Sequence, residues 1–154
     1  MAQRDLPEGI AVGIKAEAYY ESEHSSDPAK IEAPEDVDRV IDKLLTGEKF
    51  HTLAKLFSTE RPMLPSGFPD HEFMVGVDSS LQVGALTFGD ENGSFTTVGG
   101  PGSREEPAYH FMGHRHEFPE NCEVSLDLIR KAVKEFVLSG GKRPECVDWK
   151  KILW

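Results

Sequence analysis

Asp90-Glu91-Asn92-Gly93 falls between two segments of alternating apolar and polar residues, and this juncture constrains the architecture more than any other stretch. Asn-Gly tolerates the positive φ of a tight turn, so the flanking segments "QVGALTFG" (82–89) and "SFTTV" (94–98) are expected to fold back on each other as antiparallel strands. "HEFMVGVD" (71–78) precedes them across a short polar turn and extends the pair to a meander. Residues 10–20 alternate in the same way, with Ile10, Val12, Ile14, Ala16, Ala18 and Tyr20 on one side and Lys15, Glu17 and Glu21 on the other. "HTLAKLFST" (51–59), "AYHFMG" (108–113) and "ECVDW" (145–149) are further strand candidates. "SEHSSDP" and "GGPGSREEP" (99–107) read as loops, and the three prolines of "ERPMLPSGFPD" (60–70) rule out regular structure there.

Two segments change period. In "APEDVDRVIDKLLTGEK", Pro34 suits a first helical turn, Glu35 and Asp36 favour its positive end, and Val37, Val40, Ile41, Leu44 and Leu45 form one stripe that stops at Gly47. In "SLDLIRKAVKEFVLSGG", Ser125 is the expected N-cap, Leu126, Ile129, Val133, Phe136 and Val137 make the apolar stripe, and Gly140 or Gly141 ends the helix. The fold class is therefore α+β: one domain over residues 1–154, a mainly antiparallel sheet with both amphipathic helices packed on one face.

Seventeen basic residues against twenty-seven acidic ones give a net charge of −10. Phosphate backbones and anionic membranes repel such a chain, whereas basic protein surfaces attract it. Direct nucleic-acid or membrane binding is not expected; competition for the basic groove of a nucleic-acid-acting protein is. The first residues hold no basic segment followed by an apolar run, and no window has the roughly 18 apolar residues of a membrane span. These features predict a soluble cytoplasmic protein whose two cysteines, Cys122 and Cys146, stay reduced and pack as small apolar residues.

"YHFMGHRHEFPENC" (109–122) carries the densest potential chemistry, three histidines and a cysteine. If the strand at 108–113 continued to residue 116, Tyr109 and Phe111 would point under the helices, and His110, Met112, His114 and His116 would share the opposite face. His114 and His116 at i, i+2 could then ligate zinc, with His110 or Cys122 as third ligand, which is the basis of an alternative reading as a small zinc-dependent hydrolase. A Cys122–His116 nucleophile–base pair is also conceivable. Neither HExxH nor paired CxxC accompanies the cluster, "GGPG" lacks the lysine of a phosphate loop, and there is no GxSxG elbow. The residues favour a protein that is not an enzyme and needs no cofactor.

"TERPMLPSGFPDHEFMVGVD" (59–78), "QVGALTF" (82–88) and "YHFMGHRHEFPENCEVSLDLIRKAVKEFVLSGGKRPECVDW" (109–149), in this order, resemble the immunity-protein family one of bacterial polymorphic toxin systems. The resemblance covers roughly the last two-thirds of the chain, and the helix at 34–45 fits as well. It implies a small cytoplasmic α+β protein that binds the catalytic domain of a cognate secreted toxin, often a zinc-dependent deaminase, including those that convert cytosine in double-stranded DNA. It carries over no catalytic residue. Candidate contacts with that partner are exposed aromatic and acidic residues on loops: Asp90, Glu91, Glu105 and Glu106, with His114, Arg115, His116 and Glu117 from the histidine stretch. Tyr109, Phe111 and Trp149 are expected in the core, and Trp154 is either a packed end or a free anchor.

Overall fold

A computed structural model describes residues 13–152. Among them the elements run β1 (Ala16–Tyr19), a 3-10 turn (Ser22–Ser25), β2 (Ala29–Ile31), α1 (Pro34–Thr46), β3 (Leu53–Ser58), β4 (Glu72–Asp78), β5 (Val83–Asp90), β6 (Gly93–Thr97), β7 (Ala108–Phe111), β8 (His114–Glu117), β9 (Val124–Ser125), α2 (Leu126–Leu138) and β10 (Trp149–Lys151). One sheet has the order β10-β6-β5-β4-β3-β1-β2, with β9 paired to the start of β5, and every pairing is antiparallel. The α+β expectation holds.

Both helices lie on one face of this sheet. Ala16, Ala18, Leu56, Phe73, Val75, Leu86 and Phe88 meet Val37, Ile41, Leu44, Ile129, Val133 and Phe136 in a single buried cluster. Phe73 and Phe136 stack at 4.5 Å between ring centroids. Each Val, Leu, Ile or Phe among them contributes about 1.5–3 kcal/mol on leaving water, so this layer dominates stability. The helices are also joined by charge. Arg130 bonds Asp38 and Asp42, and Lys134 bonds Asp38. At its start α1 uses Asp36, whose carboxylate accepts the N–H groups of Glu32 and Ala33, and α2 uses Ser125, whose hydroxyl accepts from Leu128.

The opposite face carries a hairpin the sequence reading did not foresee. Met112 (φ 49°) and Gly113 (φ 88°) both take positive φ, the requirement of a two-residue turn, so the chain reverses at the end of the strand expected over 108–113 and does not continue to residue 116. β7 and β8 pair Tyr109 with His116, His110 with Arg115 and Phe111 with His114. Tyr109 therefore does not pack under the helices. It presses on Gly76 from the far side and forms a second small core with Leu53, Ala85, Phe118 and Cys122. A methyl at position 76 would sit 2.5 Å from the Tyr109 ring, so only glycine admits the hairpin this closely.

Other boundaries shift for local reasons. Within the described residues the first strand covers Ala16–Tyr19; Ile10 and Val12 lie outside them, as does Trp154. The loop after it holds a 3-10 turn around buried His24, whose Nδ1 accepts the N–H groups of Tyr20 and Glu21. β2 and β9 were missed, being too short to show a period. The last strand starts at Trp149 rather than 145, because the Glu135 carboxylate captures the N–H groups of Glu145 and Cys146 and holds that stretch in a turn. In the Asp90–Gly93 turn it is Gly93 (φ 121°), not Asn92, that takes positive φ. Phe111 and Trp149 are half-buried at the margins of the two cores.

Candidate partner-binding surface

The charged residues expected to meet a partner lie at two ends of the sheet. Asp90 and Glu91 form the β5–β6 turn. Asp90 accepts the N–H of Asn92 and faces Arg61 at 3.8 Å, with its side chain 13% exposed, while Glu91 is open to solvent. Glu105 and Glu106, both exposed, follow Arg104, which pairs at 3.3 Å with Asp78 at the far end of β4. The eight residues of β5 put about 24 Å between these ends. Glu117 belongs with Glu105 and Glu106, because its partner Ala108 and the Phe118 N–H bond to Pro107 hold β8 against that loop. Arg115 pairs with Glu117 at 2.7 Å.

His114 and His116 share the hairpin face of Phe111. The His116 ring stands edge-on to Phe111 at 6.2 Å, and Lys55 sits over that same phenyl ring at 4.6 Å. Burial, then the Lys55 ammonium, hold the His116 pKa below its ordinary value. The 99–107 loop is fastened by Glu123, a buried carboxylate that accepts from Arg104 at 2.6 and 2.9 Å and from the Tyr109 hydroxyl. Burial alone would raise the Glu123 pKa, but those hydrogen bonds outweigh it and lower it.

This geometry bears on the catalytic alternatives. The hairpin sends His110 to the face opposite His114 and His116, where its ring meets Phe50 at 4.8 Å, so the three imidazoles do not converge. Among the described residues no three His, Cys, Asp or Glu side chains are grouped to hold a metal ion. Cys122 is fully buried, and burial with nearby Glu123 pushes its thiol up to about 11, which suppresses the nucleophilic thiolate. Ser58, His71 and Asp70 contain the residue types of a hydrolytic triad. His71 Nδ1 lies 2.8 Å from Asp70, but Nε2 accepts the backbone N–H of Ser58 at 2.8 Å. The lone pair a general base would use is occupied. Burial holds His71 below its ordinary pKa, so it is a neutral strut.

What the sequence reading passed over is the segment between β3 and β4. Pro62–Phe68 projects as a finger, with Met63 60%, Leu64 47% and Phe68 70% exposed. The finger is ordered from within and below: Met63 bridges Pro69, Leu64 N–H donates to the Phe68 carbonyl at 2.7 Å, and Gly67 N–H donates to the Leu64 carbonyl. At its neck Arg61 binds Asp70 at 2.9 and 3.2 Å and donates to the Gly141 carbonyl at 2.8 Å. A cleft of about 390 Å³ between finger and sheet is lined by Leu64, Pro69, Asp90, Glu91 and their neighbours. One signal was present in the sequence: Met, Leu and Phe among turn-forming residues have no role in regular structure.

The two acidic ends and the finger are exposed surface rather than enclosed cavities. The sequence profile of the family described as Immunity protein Imm1 matches residues 25–151, from the 3-10 turn to the last residue of β10. The chain belongs to this family. No curated protein matches it in sequence. An immunity protein acts on its cognate toxin by binding it, so membership implies a toxin partner. Among the described residues no helix is long and apolar enough to cross a membrane.

Proposed function

We propose that this immunity protein neutralises a nucleic-acid deaminase toxin, one that converts cytosine in double-stranded DNA, by sterically blocking its active site or substrate groove in the cytoplasm of the producing cell, and that it makes and breaks no bonds itself. Family membership carries the neutralising role. Charge supports its direction: a deaminase acting on DNA needs a phosphate-attracting groove and a pocket for the extruded base, and a −10 protein is drawn to such a groove. Catalytic zinc in such a pair belongs to the toxin. Asp90 and Glu91 at one end of the sheet, and Glu105, Glu106, His114, Arg115, His116 and Glu117 around the hairpin, are the proposed contacts.

A producing cell survives only if almost no toxin is free, which calls for sub-nanomolar binding, about −12 kcal/mol or stronger. The test is co-expression with the toxin encoded beside this chain. Surviving cells and a complex that persists through gel filtration are the expected result; dying cells with no complex would end the proposal. A deaminase-type HxE and PCxxC signature in that toxin would identify its chemistry, and its absence would withdraw the deaminase assignment alone.

A further inference from the structure

We infer that the Pro62–Phe68 finger is the principal anchor of the complex, inserting Phe68, Met63 and Leu64 into an apolar cleft of the toxin's catalytic domain whose rim is basic. This rests on the immunity reading above and adds to it the location and chemistry of the contact. Three of the seven large apolar side chains that are exposed among the described residues occur within these six consecutive positions, 63–68; the others are dispersed at Phe50, Leu81, Val98 and Leu138. A cluster of this kind is costly to leave in water and marks a contact site.

The finger is also held ready. Its internal hydrogen bonds and the Arg61 clamp at its neck fix the backbone before any partner arrives, so little ordering entropy remains to be lost on binding. An aromatic tip on a fixed support is the usual form of an interface hot spot.

Charge selects the occupant. The cleft between the finger and the sheet is lined by Asp70, Asp90 and Glu91 with no lysine or arginine, whereas Arg61, Lys142 and Arg143 gather in the adjoining hollow on the other side of Asp90. An apolar tip over an acidic cleft complements an apolar pocket with a cationic rim, the form of a site that takes a nucleobase while its surroundings hold phosphate.

The experiment measures binding of the full chain to a catalytically inactivated form of the adjacent toxin domain by surface-immobilised kinetics, with thermal unfolding of each variant alongside. Phe68→Ala, alone and with Met63→Ala, is compared with Leu81→Ala, another exposed apolar position, in the turn that joins β4 and β5 and away from the finger. The finger variants are expected to melt like the parent and to bind at least tenfold more weakly, the pair at least a hundredfold, with Leu81→Ala unchanged. A loss below tenfold for the pair would overturn the anchor assignment while leaving the immunity reading intact. Failure of the parent chain itself to bind would instead remove that reading. Light scattering supplies a further outcome: self-association of the parent that Phe68→Ala abolishes would assign the finger to a second copy of the chain and refute the proposal.

Discussion

Gly76 is where a single hydrogen atom decides the architecture. The strand residue faces the Tyr109 ring across the sheet, and Tyr109 in turn carries Phe118 at 5.1 Å and donates to Glu123. Gly76→Ala would drive a methyl into an aromatic ring that has no room to retreat, because its hydroxyl is held by the buried carboxylate. Such overpacking is expected to cost about 1–3 kcal/mol, read as a lowered midpoint in urea denaturation; an unchanged midpoint would show that the hairpin yields freely. Arg104 is bound up in the same arrangement: Glu123 holds its guanidinium well above its ordinary pKa, so the 99–107 loop stays tied to the hairpin.

At the level of elements, the finger depends on its neck. Arg61 joins Asp70 before β4, the Gly141 carbonyl after α2, and Asp90 in the β5–β6 turn. Arg61→Ala removes all three attachments and leaves Asp70 partly buried without its cation, a loss of about 2 kcal/mol. Hydrogen exchange is expected to accelerate at residues 62–70 more than in the helices; equal acceleration everywhere would mean that the neck only contributes to global stability. The finger also marks what the sequence conceals. Both helices were legible because thirteen-residue segments repeat the 3.6 period several times and bear their own stop signals, and the meander was legible because Gly93 and its neighbours punctuate it. The hairpin was not, since four-residue strands show too little period to reveal that Met112 would accept positive φ. Of the candidate contacts, sequence could nominate exposed charges, but their division between two ends of β5 is a product of topology, and the order within 62–68 comes from hydrogen bonds that residue types do not announce.

For the molecule as a whole, acid should unfold it in two stages. Burial lowers the His71 pKa in the folded state, so the unfolded chain takes the proton first: stability is complete above about 6.5 and declines as pH falls toward the folded value. Asp36, Asp38, Asp70 and Glu123 are also lowered on folding, by their hydrogen bonds and ion pairs. Their contribution is present above the unfolded carboxylate values, 3.8 for aspartate and 4.5 for glutamate, and is lost below them. Denaturation midpoints measured from pH 8 down to pH 3 should therefore begin to fall before carboxylates titrate; a flat profile down to pH 5 would contradict the neutral-strut role of His71. The −10 charge predicts a kinetic signature as well. Association with a cationic partner should slow markedly between about 50 and about 500 mM salt while dissociation changes little, and an on-rate indifferent to salt would mean that long-range attraction plays no part.

The Arg61 clamp separates two selective pressures that are usually entangled. Because the excursion it closes contributes no side chain to either hydrophobic layer, residues 63–68 are free to vary without disturbing the scaffold beneath. A lineage confronted with an altered toxin could retarget its defence by exchanging half a dozen residues, as an antibody exchanges a loop, and keep the remainder of the gene unaltered.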